Sequence, residues 1–597
     1  MFLVIAALLQ TGPAYELLAV EDARADAAPL IEALDSNDSA LTLQAIRALG
    51  RFEREDLAPH VGPFLAAESP ALRVEAANAL AQMGTGSGIL RSRLESESTL
   101  EVRSAIFEAL GRLPKIEESV VLPGLAEQHP AQLGAAKGLE HLLRTRDQTP
   151  SAATIAAIRR VVREGETHPA RQLALLALNG AGDRDVDTLE HAFRDPEPLV
   201  RRLAVIGLGE FRDDPSALVR YAGLKSAPSC DTAAELIDDP SEHVALLAID
   251  TLSDGCEGAP LRDILSISGG WRRQAHALVA LASVEPDHAR ESLSRFAEHD
   301  VWQARVYAAR AAKLVQADVV LTRLRGDTHP NVVAEALVTP EDAIAALSSD
   351  HYGLLVRALG LLEGYPNGKD ILPTLFDTLA RVTQHGRATS RDPRRLLLAR
   401  IEEFEPGPKH KLGYLLEDFD PWIAERASKL LHTMIMPRRF EPTPLPSPET
   451  LQSLVSARAH ISMKEAGSFT IELLPESAPL TAAQFAKLAD EGYYDGLTFH
   501  RVVANFVVQG GSPGANEYVG TDDYIRDEVG LRSHERGTLG ISTRGRDTGD
   551  SQIFINLVDN YRLDHSYTVF ARVVEGMENV DRIGEGDVMT SVRIERR

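Results

Sequence analysis

Between residues 15 and 436, apolar side chains fall at i, i+3 and i+4, the period of helices that bury one stripe. The pattern comes in units of a polar or proline-containing turn, an aliphatic–Arg–x–x–Ala segment and a leucine-rich stretch. Ser69–Leu80, Leu100–Gly111, Asp195–Ala204 and Val301–Ala309 are clear copies, and Asp239-Pro240 and Asp420-Pro421 open weaker ones. Asp followed by Pro starts a helix, because Asp caps it and Pro fits its first turn. From residue 460 the period changes to two. Phe469–Leu473 alternates as a half-buried strand does, and further strands are expected at Thr498–Val502, Phe506–Gln509, Gly537–Ile541, Ile553–Asn556 and Thr568–Val574. Helices fit Thr481–Glu491 and Met577–Ile583. The chain thus divides into a helical array (15–436), a Pro-alternating linker with a short helix over Glu449–His460 (437–459), and a closed or nearly closed antiparallel β-barrel with two helices (460–597).

Arg73 and Arg103 stand 30 residues apart, within the range of helix-pair repeats. The array resembles HEAT-type repeats, which implies a curved α-solenoid of ten to twelve units whose concave face binds protein.

The run Phe499-His500-Arg501-Val502-Val503-Ala504-Asn505-Phe506-Val507-Val508-Gln509-Gly510-Gly511 sets an arginine of buried type, two aromatics and a glutamine around one strand–loop–strand. Gly537–Ile541 and Gly549–Asn556 follow with more apolar strand and another aromatic. These stretches closely resemble the cyclophilin family of peptidyl-prolyl isomerases over about residues 465–592. The resemblance implies rotation of X–Pro bonds in proline-containing proteins or peptides, with no cofactor and no metal. Prolyl bonds rotate slowly because amide resonance sets a barrier of ~18–20 kcal/mol. No bond is made or broken, so the catalyst holds the ring and stabilises a twisted amide. Arg501 offers fixed N–H donors for the pyramidal nitrogen, and Gln509 orients it. Phe506, Val507, Phe554 and Leu563 suit a proline pocket, His500 supports its edge, and Thr543 supplies a backbone contact by analogy with the family. Gln552 completes the expected substrate-binding set. The chain departs from the family pattern at Ser512, Thr543, Arg544 and Arg562, the last standing where an aromatic is usual.

Composition narrows the remaining choices. A chain of 597 residues exceeds one core. A net charge of −24, with 14 Lys/Arg against 22 Asp/Glu in residues 460–597 alone, argues against nucleic acid and anionic membrane as partners. Nothing approaches the ~20 apolar residues of a membrane span. Met1–Leu9 followed by Gln10–Ala14 fits a secretory segment over residues 1–14 without its usual leading cation; the alternative is an apolar helix capping the array. Only 10 of the 63 basic residues are Lys, which points to a GC-rich bacterial genome. An extracytoplasmic site, periplasmic or secreted, is therefore expected, with the cytoplasm as alternative. Cys230 and Cys256 either bridge or stand as two separate thiols. Gly510–Gly514 matches the GxSxG string of serine hydrolases, but Pro513 has no N–H for an oxyanion. The competing reading of the whole chain is a non-catalytic scaffold that binds proline-containing segments.

Overall fold

The computed structural model describes residues 12–146, 149–266, 270–405, 411–434 and 444–596. The recurring arginine explains how the array is built. Arg73, on the helix Pro70–Gln82, donates Nη1 to the carbonyls of Ala67 (2.8 Å) and Glu68 (2.9 Å) at the turn before its own helix. Its Nε reaches Glu97 Oε2 at 2.8 Å, and Glu97 Oε1 accepts from Thr99 N at the start of the next long helix. One side chain therefore closes a helix entry and ties it to the following repeat. The same step recurs at Arg171–Asp195, Arg220–Asp239 and Arg305–Asp327, at 2.6–2.7 Å each. Burial alone would raise the Glu97 pKa, but the hydrogen bonds from Thr99, Arg93 and Arg73 hold it down at about 2. Between the helices, alanines such as Ala76, Ala79 and Ala109 are fully covered and let the backbones approach, while Leu80, Ile106 and Leu110 fill the space left.

Cys230 and Cys256 form a disulfide that joins the helix Cys230–Leu236 to the turn after Glu242–Thr251. The expected secretory segment falls almost wholly outside the described residues; Gly12–Ala14 open the helix Gly12–Ala23. The Pro-alternating stretch up to residue 443 also lies outside them. Among the described residues, no helix is long and apolar enough to cross a membrane.

Eight antiparallel strands close the carboxy-terminal barrel in the order β1-β2-β7-β5-β6-β4-β3-β8. They are β1 (Arg458–Met463), β2 (Ser468–Leu473), β3 (Thr498–Val503), β4 (Val507–Gly510), β5 (Thr538–Ile541), β6 (Ile553–Asn556), β7 (Val569–Glu575) and β8 (Asp587–Glu595). Helices Pro479–Asp490 and Met577–Val580 accompany them. Phe469, Ile471, Phe499, Val508, Ile555 and Phe570 point into the common core. Two strands differ from expectation. The helix expected over Glu449–His460 ends at Ser453, and β1 begins at Arg458, where Ala459, Ile461 and Met463 alternate inward. β8 was not expected at all, because only Met589, Val592 and Asp587 are buried along its mostly polar length.

The barrel sits inside the curve of the array. Successive repeats touch it in turn: Arg24 pairs with Asp547 (2.8 Å), Lys137 with Asp564 (3.2 Å), and Gln172 Nε2 donates to Asp559 (2.9 Å). Farther along, Arg272 Nε donates to the Glu585 carbonyl (2.7 Å), Asn331 Nδ2 to those of Gly514 and Ala515 (3.0 Å each), and Asp392 pairs with Arg544 (2.8 Å). Arg51, 2% exposed, pairs with Glu21 and donates to the Val529, Ser477 and Glu528 carbonyls. In the helix Gly12–Ala23, Leu17 belongs to the array's core and Leu18 to the barrel's. Asp22 and Arg387, from opposite parts of the array, line one cavity with the barrel segment Gly520–Asp523. The array thus closes around its own domain.

Replacing Arg73 by Ala leaves the buried Glu97 with only Arg93 and Thr99 and the Ala67 and Glu68 carbonyls without their donor, and is expected to lower stability by about 2 kcal/mol. Chemical unfolding of the full chain reads this, with Arg54→Ala, which removes an exposed pair with Asp56, leaving the midpoint in place.

Candidate active site

The site begins with a bulge. β3 and β4 pair Phe499 with Gly510 and Arg501 with Gln509, so His500 is the extra residue on β3. Phe499 therefore faces the core while Arg501, two residues on, is re-aimed to the outer surface of the barrel. Gln509 in turn pairs with Phe554 on β6, and Phe554 with Gly540 on β5. A row Arg501–Gln509–Phe554–Gly540 runs across four strands on one face. Gly540 is required there, since a Cβ would stand 2.3 Å from the Phe554 ring.

Over this row lies a cavity of about 230 Å³. Arg501, Phe506, Val507, Gln509, Thr543, Phe554 and Leu563 line it, seven of the nine residues expected from sequence. Arg501 is less buried than expected, its side chain 38% exposed. Its Nη1 donates to Gln509 Oε1 (3.3 Å) and its Nε approaches Glu517 Oε1 (3.3 Å). Gln509, 5% exposed, donates Nε2 to Ser542 Oγ (3.0 Å) and Gln552 Oε1 (3.3 Å). The remaining two expected residues stand elsewhere. Gln552 is buried behind Gln509 and donates to the Glu517 and Val519 carbonyls, so it holds the glutamine and the loop without lining the cavity. His500, at the bulge, does not line the cavity, and neither ring nitrogen makes a well-formed hydrogen bond.

Sequence reasoning missed Glu517, Ser542 and Tyr567 as lining residues, and it noted Arg544 only as a departure. Tyr567 stands edge-on to Phe554 with ring centroids 5.7 Å apart. An aromatic directly before a strand was the available signal. Glu517 gave none, because its place depends on contacts far away in the chain. The loop that carries it is held by the array through Asn331 and through Ala388 N, which donates to the Asp522 carbonyl (2.8 Å). The turn between β3 and β4 is fixed in the same way: Asn505, at φ +57, donates Nδ2 to the Leu218 carbonyl (2.8 Å). Arg562 lies over the Phe506 ring, 4.3 Å from its centroid, whereas Tyr561 turns into the array's core. The serine-hydrolase string is spent on structure, with Ser512 Oγ donating to the Val519 carbonyl (2.6 Å).

Residues 458–597 match the family described as cyclophilin type peptidyl-prolyl cis-trans isomerase/CLD, and residues 27–111 match HEAT repeats. Peptidyl-prolyl cis-trans isomerase B of Bacillus subtilis is 43% identical over 135 residues, covering 22% of this chain and 94% of that protein. A peptidyl-prolyl cis-trans isomerase of Helicobacter pylori is 42% identical over 130 residues, covering 21% and 80%. A cyclophilin-type isomerase structure from Cryptosporidium parvum is 23% identical, covering 24% of this chain and 98% of that one, with a TM-score of 0.22. Through its carboxy-terminal barrel, the chain belongs to the cyclophilin family of peptidyl-prolyl cis-trans isomerases. It joins that isomerase domain to a HEAT-repeat array.

Burial, followed by the charge of Arg501, lowers the His500 pKa from 6.5 to about 4. The folded protein therefore keeps a neutral imidazole that the unfolded chain protonates below pH 6.5. Its contribution to stability is complete above pH 6.5 and is lost as pH falls toward 4, at up to ~1.4 kcal/mol per pH unit. His500→Gln should reduce the loss of stability between pH 7 and pH 5 by about 1–2 kcal/mol, measured by chemical unfolding at both pH values.

Proposed function

We propose that Arg501 stabilises the twisted prolyl amide in this cavity while Phe506, Val507, Phe554 and Leu563 hold the proline ring. The observation that carries this reading is the cross-strand row that sets Arg501 and Gln509 beside the apolar wall of one cavity. A guanidinium has five N–H groups in a fixed fork, and Glu517 and Gln509 engage only Nε and Nη1. The remaining donors are held in a known direction before substrate arrives. Preorganised donors cost no reorganisation when the nitrogen lone pair localises, and each ~1.4 kcal/mol gained there is tenfold in rate. No proton moves in the rotation, so the chemistry asks for no general base.

Concave faces of such arrays commonly bind other proteins. Here the inner curve holds the chain's own barrel, so the array acts in this reading by fixing the rim of the site and shaping the approach to it. An extracytoplasmic location is part of the proposal, supported by the disulfide between Cys230 and Cys256.

Exchange between cis and trans forms of an X–Pro peptide, followed by NMR with the full chain, tests the assignment. Arg501→Ala should reduce kcat/KM by about 10²-fold or more with the fold intact. Unchanged activity in the variant would remove Arg501 from the mechanism. A folded parent without activity would leave a proline-binding scaffold.

A further inference from the structure

A second cavity, of about 480 Å³, lies against the first and is walled jointly by the array and the barrel. Phe506 lines both, so the two cavities adjoin at its ring, and residues flanking a proline held in the first lie next to the second. The barrel contributes Asn505 and Arg562, and the array contributes Arg202 on the helix Pro198–Leu208 and Tyr221 and Lys225 on the helix Ala217–Ser226. The size is that of a small-ligand site.

Arg202 is the unusual group. It is 8% exposed, and it makes no hydrogen bond or ion pair with any described residue, its Nε being fully enclosed without an acceptor. The ladder arginines of neighbouring repeats, by contrast, each hold a carboxylate and backbone carbonyls. Asp559 acts on Arg202 only through space. That carboxylate already accepts from Gln172 Nε2 (2.9 Å), Arg536 N (2.7 Å) and the Tyr561 hydroxyl (3.2 Å). Burial lowers the Arg202 pKa from 12.5 to about 10, with Asp559 offsetting part of that loss, so the group remains a cation at neutral pH. The other charges facing the cavity leave it positive. Arg144 is matched by Glu140 (2.8 Å), while neither Lys225 nor Arg562 has a carboxylate partner among the described residues. A chain of net charge −24 has gathered unmatched cations beside its proline pocket. A buried guanidinium without an acceptor is costly, and a carboxylate matches its fork in two hydrogen bonds.

We propose that this cavity is a substrate subsite that takes the carboxylate of a Glu or Asp side chain near the isomerised proline, with Arg202 as its anchor and Lys225 and Arg562 at its mouth. The proposal rests on the isomerase reading of the adjoining pocket. It makes the array a determinant of substrate choice: domains consisting of the barrel alone have no counterpart of Arg202 or Lys225.

The test uses the full chain and pairs of X–Pro peptides in which one position, walked along both flanks of the proline, is Glu or Gln. At one flank position kcat/KM should favour Glu by about tenfold, and Arg202→Met and Lys225→Ala should each shrink that ratio, the former to within about twofold. Thermal unfolding establishes that each variant is folded, and Lys225, being exposed, gives a variant with little risk to the core. Equal rates for Glu and Gln at every position overturn the proposal, as does a preference that survives Arg202→Met in a folded protein. If the parent isomerises none of the peptides, the isomerase reading falls separately. Fluorescence anisotropy with the same labelled peptides then decides the subsite: tighter binding of a Glu peptide that depends on Arg202 sustains it, and equal binding of both overturns it.

Discussion

A guanidinium carries five donors in one plane, and inside a protein each needs an acceptor. Most of this architecture follows from where those acceptors are. Within the array, each ladder arginine takes the carbonyls at its own helix entry and an acid at the next, which sets the spacing of one repeat against another. At the inner face the same group joins array to barrel, through Arg51 on the Val529 and Glu528 carbonyls, Arg272 on Glu585 and Arg544 on Asp392. The candidate pocket inherits its shape from these contacts. The turn bearing Phe506 hangs on Leu218, and the loop bearing Glu517 hangs on Asn331 and Ala388. A barrel that looks autonomous in sequence therefore has its rim fixed from outside.

How much of this was legible in the sequence depended on the range of the interactions. The outer row of the site was readable because Arg501, Gln509 and Phe554 lie on strands whose alternation is strong, and because the resemblance to cyclophilins runs through them. The β3 bulge was not readable, since an extra residue at His500 leaves no mark until pairing with β4 is known. β8 was hidden for a related reason: with three buried side chains in nine residues it has almost no apolar period, and it is held by pairing with β1 and β3. Gln552 looked like a substrate contact from its neighbours, yet its amide is consumed in carrying Gln509 and the loop over it. The repeated arginine was visible at once, but its role was not, because its acid partner lies 24 residues away in the clearest pairs. The seating of the barrel within the array had no local signature, since it is made of polar contacts and a few buried side chains, such as Leu18 and Tyr561, scattered over most of the chain.

The known isomerases that this chain resembles match its barrel alone. What the array adds is a second wall and an asymmetric distribution of charge. The apolar pocket sees mainly its own barrel, whereas the adjoining space sees both domains, and the two meet at the Phe506 ring beneath Arg562. On the proposed reading, chemistry and choice of substrate can then change independently, one by substitutions on the strands and the other by substitutions on the helices.

The helix Gly12–Ala23 has a consequence for how the molecule is made. Leu17 is buried by the next repeats within the array, but its neighbour Leu18 finds its place only against the barrel. On the ribosome these two side chains emerge together, while the surfaces that cover them are synthesised more than 400 residues apart. At ~5–20 residues per second, the inner lining of the array, with Arg51 and Arg272 lacking their acceptors on the barrel, stays open to water for tens of seconds before the barrel strands appear. The nascent chain therefore exists for that time as an unclosed array, shut only when the barrel strands follow.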